Sequence, residues 1–106
     1  MITVAELPEY IRCAERLLSD VERRSVVDYL AEHPRAGDVM EGTRGIRKLR
    51  WGRGGRGKSG GVRVLYFART EAGQIWLLLI YAKSAVDSIP GHILKTLKEE
   101  MENATR

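Results

Sequence analysis

Near residue 46 the spacing of apolar residues changes from helical to alternating, and this change constrains the fold more than any other feature. Before it, apolar residues recur at helical spacing, which predicts two helices within residues 8–33. After it, alternation and an excess of β-branched and aromatic residues predict strands over residues 46–51, 62–69 and 75–83. The last of these strands is apolar on both faces, so we expect it inside the sheet.

Local signals set the ends of the remaining elements. Pro8 suits the first turn of a helix, and Ser19 with Glu22 forms a capping box that starts a second one, which ends before Pro34. We also expect a short strand over residues 2–7, a loop over residues 36–45 and a final helix over residues 90–102. The predicted order is β-α-α-β-β-β-α in a single domain of 106 residues. This is an α+β fold with a mostly antiparallel sheet, two N-terminal helices and a C-terminal helix.

Charge is distributed very unevenly. Residues 43–70 contain nine of the chain's 18 lysines and arginines and no aspartate or glutamate, so the formal net charge of +4 understates the local basicity. A cluster of one sign at this density is typical of a binding surface for a polyanion. The nine cations are Arg44, Arg47, Lys48, Arg50, Arg53, Arg56, Lys58, Arg63 and Arg69.

Other features indicate the compartment. Cys13 is the only cysteine, so there is no disulfide framework, and we expect its thiol to be a small buried apolar group. The chain opens with no secretory signal pattern, and its longest apolar run, residues 75–82, is too short to span a bilayer. We therefore expect a cytoplasmic protein with no membrane partner.

Residues 52–59 read GRGGRGKS and match the phosphate-binding loop motif G-x-x-x-x-G-K-[ST] of ATPases. That motif works when its loop enters the N-terminus of a helix, whose amides face the phosphates. Here the loop leads into the strand predicted at residue 62, and no later strand ends in an aspartate suited to magnesium. We interpret the segment as a glycine-rich loop between two strands, whose cations Arg53, Arg56 and Lys58 contact a phosphate backbone.

The chemistry that these residues permit is RNA cleavage by the substrate's own 2′-hydroxyl, which needs neither a metal nor a cofactor. The protein must orient the attack, stabilise charge on the phosphorane and move two protons. Strand alternation places Lys48 and Arg50 on one face, and Arg63 begins the next strand. For proton transfer, Tyr81 and Lys83 share a face, and neighbouring cations favour the neutral amine of a lysine. A further candidate acid or base is His92, at the start of the last helix.

Three segments together resemble the core of RelE/HigB-type toxins, the mRNA-cleaving members of bacterial toxin–antitoxin modules. They are GTRGIRKLRW (residues 42–51), GKSGGVRVLYF (57–67) and LLLIYAK (77–83). The resemblance implies a small basic protein that enters the ribosomal A site and cleaves mRNA without a metal, leaving a 2′,3′-cyclic phosphate. It also implies a cognate antitoxin, usually encoded beside the toxin, that covers the site.

Carried over residue by residue, the resemblance assigns the basic strand to Lys48 and Arg50, the phosphate-stabilising arginine to Arg63, and the basic position after the last strand to Lys83. Two positions depart from the family pattern. Ser84 stands where an arginine is common, and Pro90 falls near the place of a catalytic tyrosine. For the general base, the local substitutes are Tyr81, Lys83 and His92, in that order.

Two other interpretations stay open. The chain could be a non-catalytic RNA- or ribosome-binding module on the same scaffold. It could also act mainly by binding an antitoxin and repressing transcription with it. The leading hypothesis remains an endoribonuclease toxin that inhibits translation by cleaving mRNA.

Overall fold

The computed structural model describes residues 2–52, 61–83 and 91–104. Over these residues one sheet carries two helices on one face and one helix on the other. The strands are β1 (Thr3–Glu6), β2 (Asp38–Val39), β3 (Arg47–Trp51), β4 (Val62–Arg69) and β5 (Gln74–Ala82). The helices are α1 (Pro8–Leu17), α2 (Asp20–Glu32) and α3 (Gly91–Ala104), and a short 3₁₀ turn spans Thr70–Ala72.

The helix boundaries follow from the signals in the sequence. Pro8 is the first residue of α1. The capping box of α2 is complete, because the Ser19 hydroxyl accepts from the Glu22 amide at 3.1 Å and the Glu22 carboxylate accepts from the Ser19 amide at 2.9 Å. Helix α2 ends at Glu32, with His33 as its C-terminal cap and Pro34 next. The predicted helix ends are thus confirmed to within a residue or two.

The strands lie in the order β1-β5-β4-β3-β2. Only the β1–β5 pairing is parallel among the described strands, and the other three pairings are antiparallel. Strand β5 therefore lies inside the sheet, as its two apolar faces predict. The β4–β5 register skips Leu78, which is a β-bulge beside Leu65 and Tyr66. The α+β class and the predicted order of elements are confirmed, with β2 as an addition.

The prediction of a loop over residues 36–45 was wrong at two residues, Asp38 and Val39, which form β2. Asp38 and Val39 pair with Lys48 and Arg47, so β2 and β3 form a hairpin. Thr43 closes it, since its hydroxyl donates to Met40 O at 2.6 Å and accepts from the Ile46 amide at 3.1 Å. Two residues of pairing are too short to leave an alternating pattern in the sequence.

Each face of the sheet has its own apolar cluster. On the face covered by α1 and α2, fully buried Val62, Val64 and Tyr66 of β4 pack with residues of both helices. On the other face, Leu65 and Trp76 pack with Leu97 and Met101 of α3. Cys13 is half-buried against the first cluster, which agrees with an apolar role. None of the helices in the described ranges has the length and apolar character needed to cross a bilayer.

Candidate functional site

Strand register places three of the predicted site residues in one row across the sheet. Arg50 of β3 lies opposite Arg63 of β4, and Arg63 lies opposite Tyr81 of β5. Directly opposed residues project from the same face. This is the face that carries α3, because Leu65, two residues from Arg63, packs with Leu97 of that helix. We call Arg50, Arg63 and Tyr81 the cross-strand row.

Lys48 joins this face by alternation from Arg50 and lies opposite Leu65. On its other side it lies opposite Asp38 of β2, a carboxylate neighbour that sequence reasoning did not anticipate. The structure therefore brings Lys48, Arg50 and Arg63 together. Arg50 is exposed, whereas Lys48 and Arg63 are half-buried.

The two arginines of the row have no carboxylate partner in the part of the chain that the structure describes. The ion pairs found there involve Arg12, Arg23, Arg44 and Arg69 instead. The Arg63 guanidinium donates only a long hydrogen bond, 3.3 Å, to Val62 O among the described residues. Like charges directly opposite each other destabilise a sheet. An anion bound between Arg50 and Arg63 would relieve this repulsion.

Tyr81 is the uncharged member of the row. Burial raises the pKa of its phenol above the ordinary value of 10.0, and the Arg63 guanidinium lowers it by a smaller amount. The phenol therefore keeps its proton at neutral pH. A protonated phenol next to a guanidinium can donate a hydrogen bond or a proton to an oxyanion.

Lys83 lies one residue beyond β5, and its amide donates to Gly61 O at 3.1 Å. Its side chain is exposed. Gly61 is needed here because a Cβ at that position would lie 2.6 Å from Trp51 O. The ends of β3, β4 and β5 thus converge beside the cross-strand row, with Lys83 at the edge.

A groove of about 730 Å³ opens next to Tyr81, between α1, β5 and α3. Its walls include apolar Leu79, Ile93 and Leu97, together with His92. His92 is exposed in the first turn of α3. The structure therefore places the predicted His92 in a groove that it shares with Tyr81.

Glu100 is a residue of this groove that sequence reasoning missed. Its Oε2 is buried and has no hydrogen-bond partner among the described residues. Burial raises the pKa of the Glu100 carboxyl above its ordinary value, and Glu9 of α1 raises it further. A signal was present in the sequence, since His92, Thr96 and Glu100 follow at four-residue intervals and so share one face of a helix.

The aromatic residues that could have stacked on bases mostly have structural roles. The Tyr66 hydroxyl accepts from the Gly37 amide and donates to Pro34 O, both at 2.9 Å. Trp76 is buried and stacks on Phe67, with ring centroids 5.8 Å apart. Trp51 is half-buried, in edge contact with Tyr29 at 5.6 Å. Hydrogen bonds within the fold account for Tyr66 and core packing for Trp76, while the half-buried Trp51 packs against the cluster under α1 and α2.

Arg53, Arg56 and Lys58 lie outside the described residues, as do Ser84 and Pro90. Within the described ranges, no group of three His, Cys, Asp or Glu side chains is arranged to hold a metal ion. No family model matches this chain.

Proposed function

We propose that this chain is the toxin of a toxin–antitoxin module, an endoribonuclease that cleaves mRNA on the ribosome without a metal. The observation that carries the proposal is the cross-strand row, in which two arginines without carboxylate partners among the described residues lie beside a protonated phenol. This combination matches the demands of 2′-hydroxyl attack on phosphorus. The sequence resemblance to RelE/HigB-type toxins supports the same reaction and adds the ribosome as its site.

The scissile phosphate would bind between Arg50 and Arg63. A guanidinium presents N–H donors in a fork that fits two phosphate oxygens. Arg63 is the central member of the row and is half-buried, so its charge is less screened by water than that of Arg50. Arg63 therefore stabilises the extra negative charge of the phosphorane, and Arg50 and Lys48 hold the phosphates on either side.

The reaction moves two protons. The 2′-hydroxyl loses one as its oxygen bonds to phosphorus, and the 5′-oxygen gains one as its bond to phosphorus breaks, leaving a 2′,3′-cyclic phosphate. Because its phenol is protonated at neutral pH, Tyr81 is the proton donor to the 5′-oxygen. The acceptor is His92, which shares the groove with Tyr81, or Lys83, one residue beyond the end of β5.

The proposed partners follow from charge and resemblance. An acid-free segment with nine cations binds the backbone of mRNA and of ribosomal RNA. A cognate antitoxin, encoded beside the toxin, would cover the cross-strand row and block access of RNA to it. The adjacent reading frame is the simplest check on this part of the proposal.

Growth arrest on expression tests the site. Arg63→Ala, and separately Lys48→Ala with Arg50→Ala, should relieve the arrest at matched protein levels. Arg24→Ala is the control for Arg63→Ala, because it removes one positive charge from an exposed position on α2, away from the site. Folded Arg63→Ala protein with full toxicity would overturn the assignment.

Mapping of RNA ends separates cleavage from binding. New 5′ ends in translated mRNA, with 2′,3′-cyclic phosphates on the matching 3′ ends by mass spectrometry, are expected for the wild type and not for Arg63→Ala. Salt-sensitive RNA binding without new ends would instead favour the non-catalytic binding module.

A further inference from the structure

The groove beside Tyr81 contains a buried carboxylate oxygen that has no role in the proposed cleavage of the phosphate. Glu100 lines the groove, and its acceptor oxygen Oε2 is buried without a hydrogen-bond partner among the described residues. An unsatisfied buried polar atom is destabilising unless a ligand or water satisfies it. The other atoms of the groove are largely apolar, from Leu79, Ile93 and Leu97. An apolar slot with one orphaned acceptor fits a flat, aromatic ligand that carries an N–H donor.

The position of the groove identifies that ligand. Tyr81 belongs both to the cross-strand row and to the wall of the groove. A nucleotide whose phosphate is held at Arg63 would therefore have its base within reach of the groove. RNA-binding proteins commonly splay unstacked bases into such slots, against aromatic or apolar side chains. At about 730 Å³ the groove is also within the usual range for small-ligand sites.

We propose that this groove binds the base next to the scissile phosphate and that Glu100 makes it prefer bases with an exocyclic amine over uracil. The proposal rests on the proposed function for the identity of its ligand. An ionised carboxylate only accepts hydrogen bonds. Adenine, guanine and cytosine each offer an amino N–H₂ group, whereas uracil offers carbonyl oxygens on either side of a single N–H. Glu100 therefore satisfies its orphaned oxygen with an amino base and repels the carbonyl oxygens of uracil.

Charged neighbours of the groove support this reading. Glu9 and Arg12 of α1 form an ion pair with each other, so Arg12 is already engaged. Burial is the main cause of the raised pKa of the Glu100 carboxyl, and the negative charge of Glu9 raises that pKa further. An amino group, with its partial positive charge, is favoured in such surroundings, and a second carbonyl oxygen is disfavoured.

Mononucleotide binding to the purified full-length chain tests the proposal without requiring cleavage. AMP, CMP, GMP and UMP are titrated separately while backbone amides are followed by NMR. UMP is the matched ligand, because it has the same sugar and phosphate. We expect the three amino-bearing nucleotides to bind roughly five-fold more tightly than UMP, which is the effect of about one hydrogen bond. The amides of α3 around Thr96 and Glu100 should shift.

Two variants complete the test. In Glu100→Gln the affinity ratio should fall towards one, because an amide both donates and accepts hydrogen bonds. In Glu99→Gln, which removes the neighbouring exposed carboxylate, the ratio should stay as in the wild type. Equal affinity for all four nucleotides, shifts confined to β3 and β4, or an equal effect of both variants would each overturn the proposal.

Cleavage distinguishes this inference from the proposed function. If the wild type cleaves mRNA, the fraction of uracil at one position beside the cut should rise in Glu100→Gln and not in Glu99→Gln. Cleavage with the same base frequencies in all three proteins would overturn the role of the groove and leave the nuclease intact. A nucleotide preference without any cleavage would support the groove and overturn the nuclease.

Discussion

The two faces of the sheet are built from alternate residues of the same strands but have opposite character. On the face under α1 and α2, Val62 and Val64 of β4 are fully buried, and the hydroxyl of Tyr66 is satisfied by backbone groups. On the face of α3, the apolar cluster covers Leu65, but Arg63 two residues earlier is left with no carboxylate partner in the described chain. We call these the closed face and the open face.

The difference between the faces shows that the residues that stabilise the fold and the residues available for chemistry lie on opposite sides of the sheet. Two helices cover the closed face, so its side chains contribute to folding and have no access to a ligand. One helix covers part of the open face, and beyond it the strands present cations. Proteins tolerate repulsion between residues such as Arg50 and Arg63 at positions where a ligand later relieves it. Mutations on the two faces should therefore affect different measurements.

The largest expected effect is on the closed face. Leu77 is fully buried in β5 against the helices. Leu77→Ala leaves a cavity and should lower the free energy of unfolding by about 2–5 kcal/mol. Chemical denaturation measures this, with Val21→Ala as the control, because Val21 is 76% exposed on α2. A change below 1 kcal/mol at Leu77 would show that this face is not tightly packed.

On the open face, Tyr81→Phe keeps the ring and removes only the hydroxyl. Loss of a proton donor to the 5′-oxygen should slow cleavage by about 10²-fold. Its effect on the free energy of unfolding should stay within about 0.5 kcal/mol, because the ring keeps its packing against the apolar cluster of this face. Single-turnover cleavage of one RNA with both proteins checks this. An unchanged rate would mean that another group donates the proton.

Tyr66→Phe is the matched change on the closed face. The Tyr66 hydroxyl bonds Gly37 N and Pro34 O, and Gly37 has no room for a Cβ, which would lie 2.9 Å from Lys48 O. Removing the hydroxyl leaves a buried amide unsatisfied and should destabilise the fold by roughly 1–3 kcal/mol. Cleavage per folded molecule should not change. A loss of activity without a loss of stability would contradict the division between the faces.

Much of the fold could be predicted from the sequence because its signals are local. The capping box at Ser19 and the alternation over Val62–Arg69 each specify their element without help from distant residues. Strand β2 could not be predicted, since two residues carry no periodicity and their pairing with Arg47 and Lys48 depends on the hairpin closed by Thr43.

The candidate site was predictable only in part. Alternation places Lys48 and Arg50 on one face, but the alignment of Arg50, Arg63 and Tyr81 depends on the register of three strands, which sequence spacing does not specify. The position of Glu100 was also predictable only in part. Its four-residue spacing from Thr96 is visible, but its place beside Glu9 in the groove depends on the tertiary arrangement of α1 and α3.

The smallest expected effect is a pH-dependent gain of stability in Glu100→Gln. Because the pKa of the Glu100 carboxyl is higher in the folded than in the unfolded chain, the folded state binds its proton more tightly. Glu100 therefore stabilises the fold when protonated, and this contribution is lost as pH rises from the ordinary value of 4.5 through the folded-state pKa.

Glutamine has no charge to desolvate, so Glu100→Gln should raise the melting temperature at pH 7, and the difference should disappear below pH 4.5. Glu99→Gln, at an exposed position, should change little at either pH. Thermal melts at several pH values measure both. If Glu100→Gln is more stable but has a weaker preference for amino-bearing nucleotides over UMP, then Glu100 contributes to binding at the expense of stability. This is what we expect of a residue on the open face. A destabilised Glu100→Gln at pH 7 would mean that the ionised carboxylate has a partner in the fold, and that the acceptor is not free for a base.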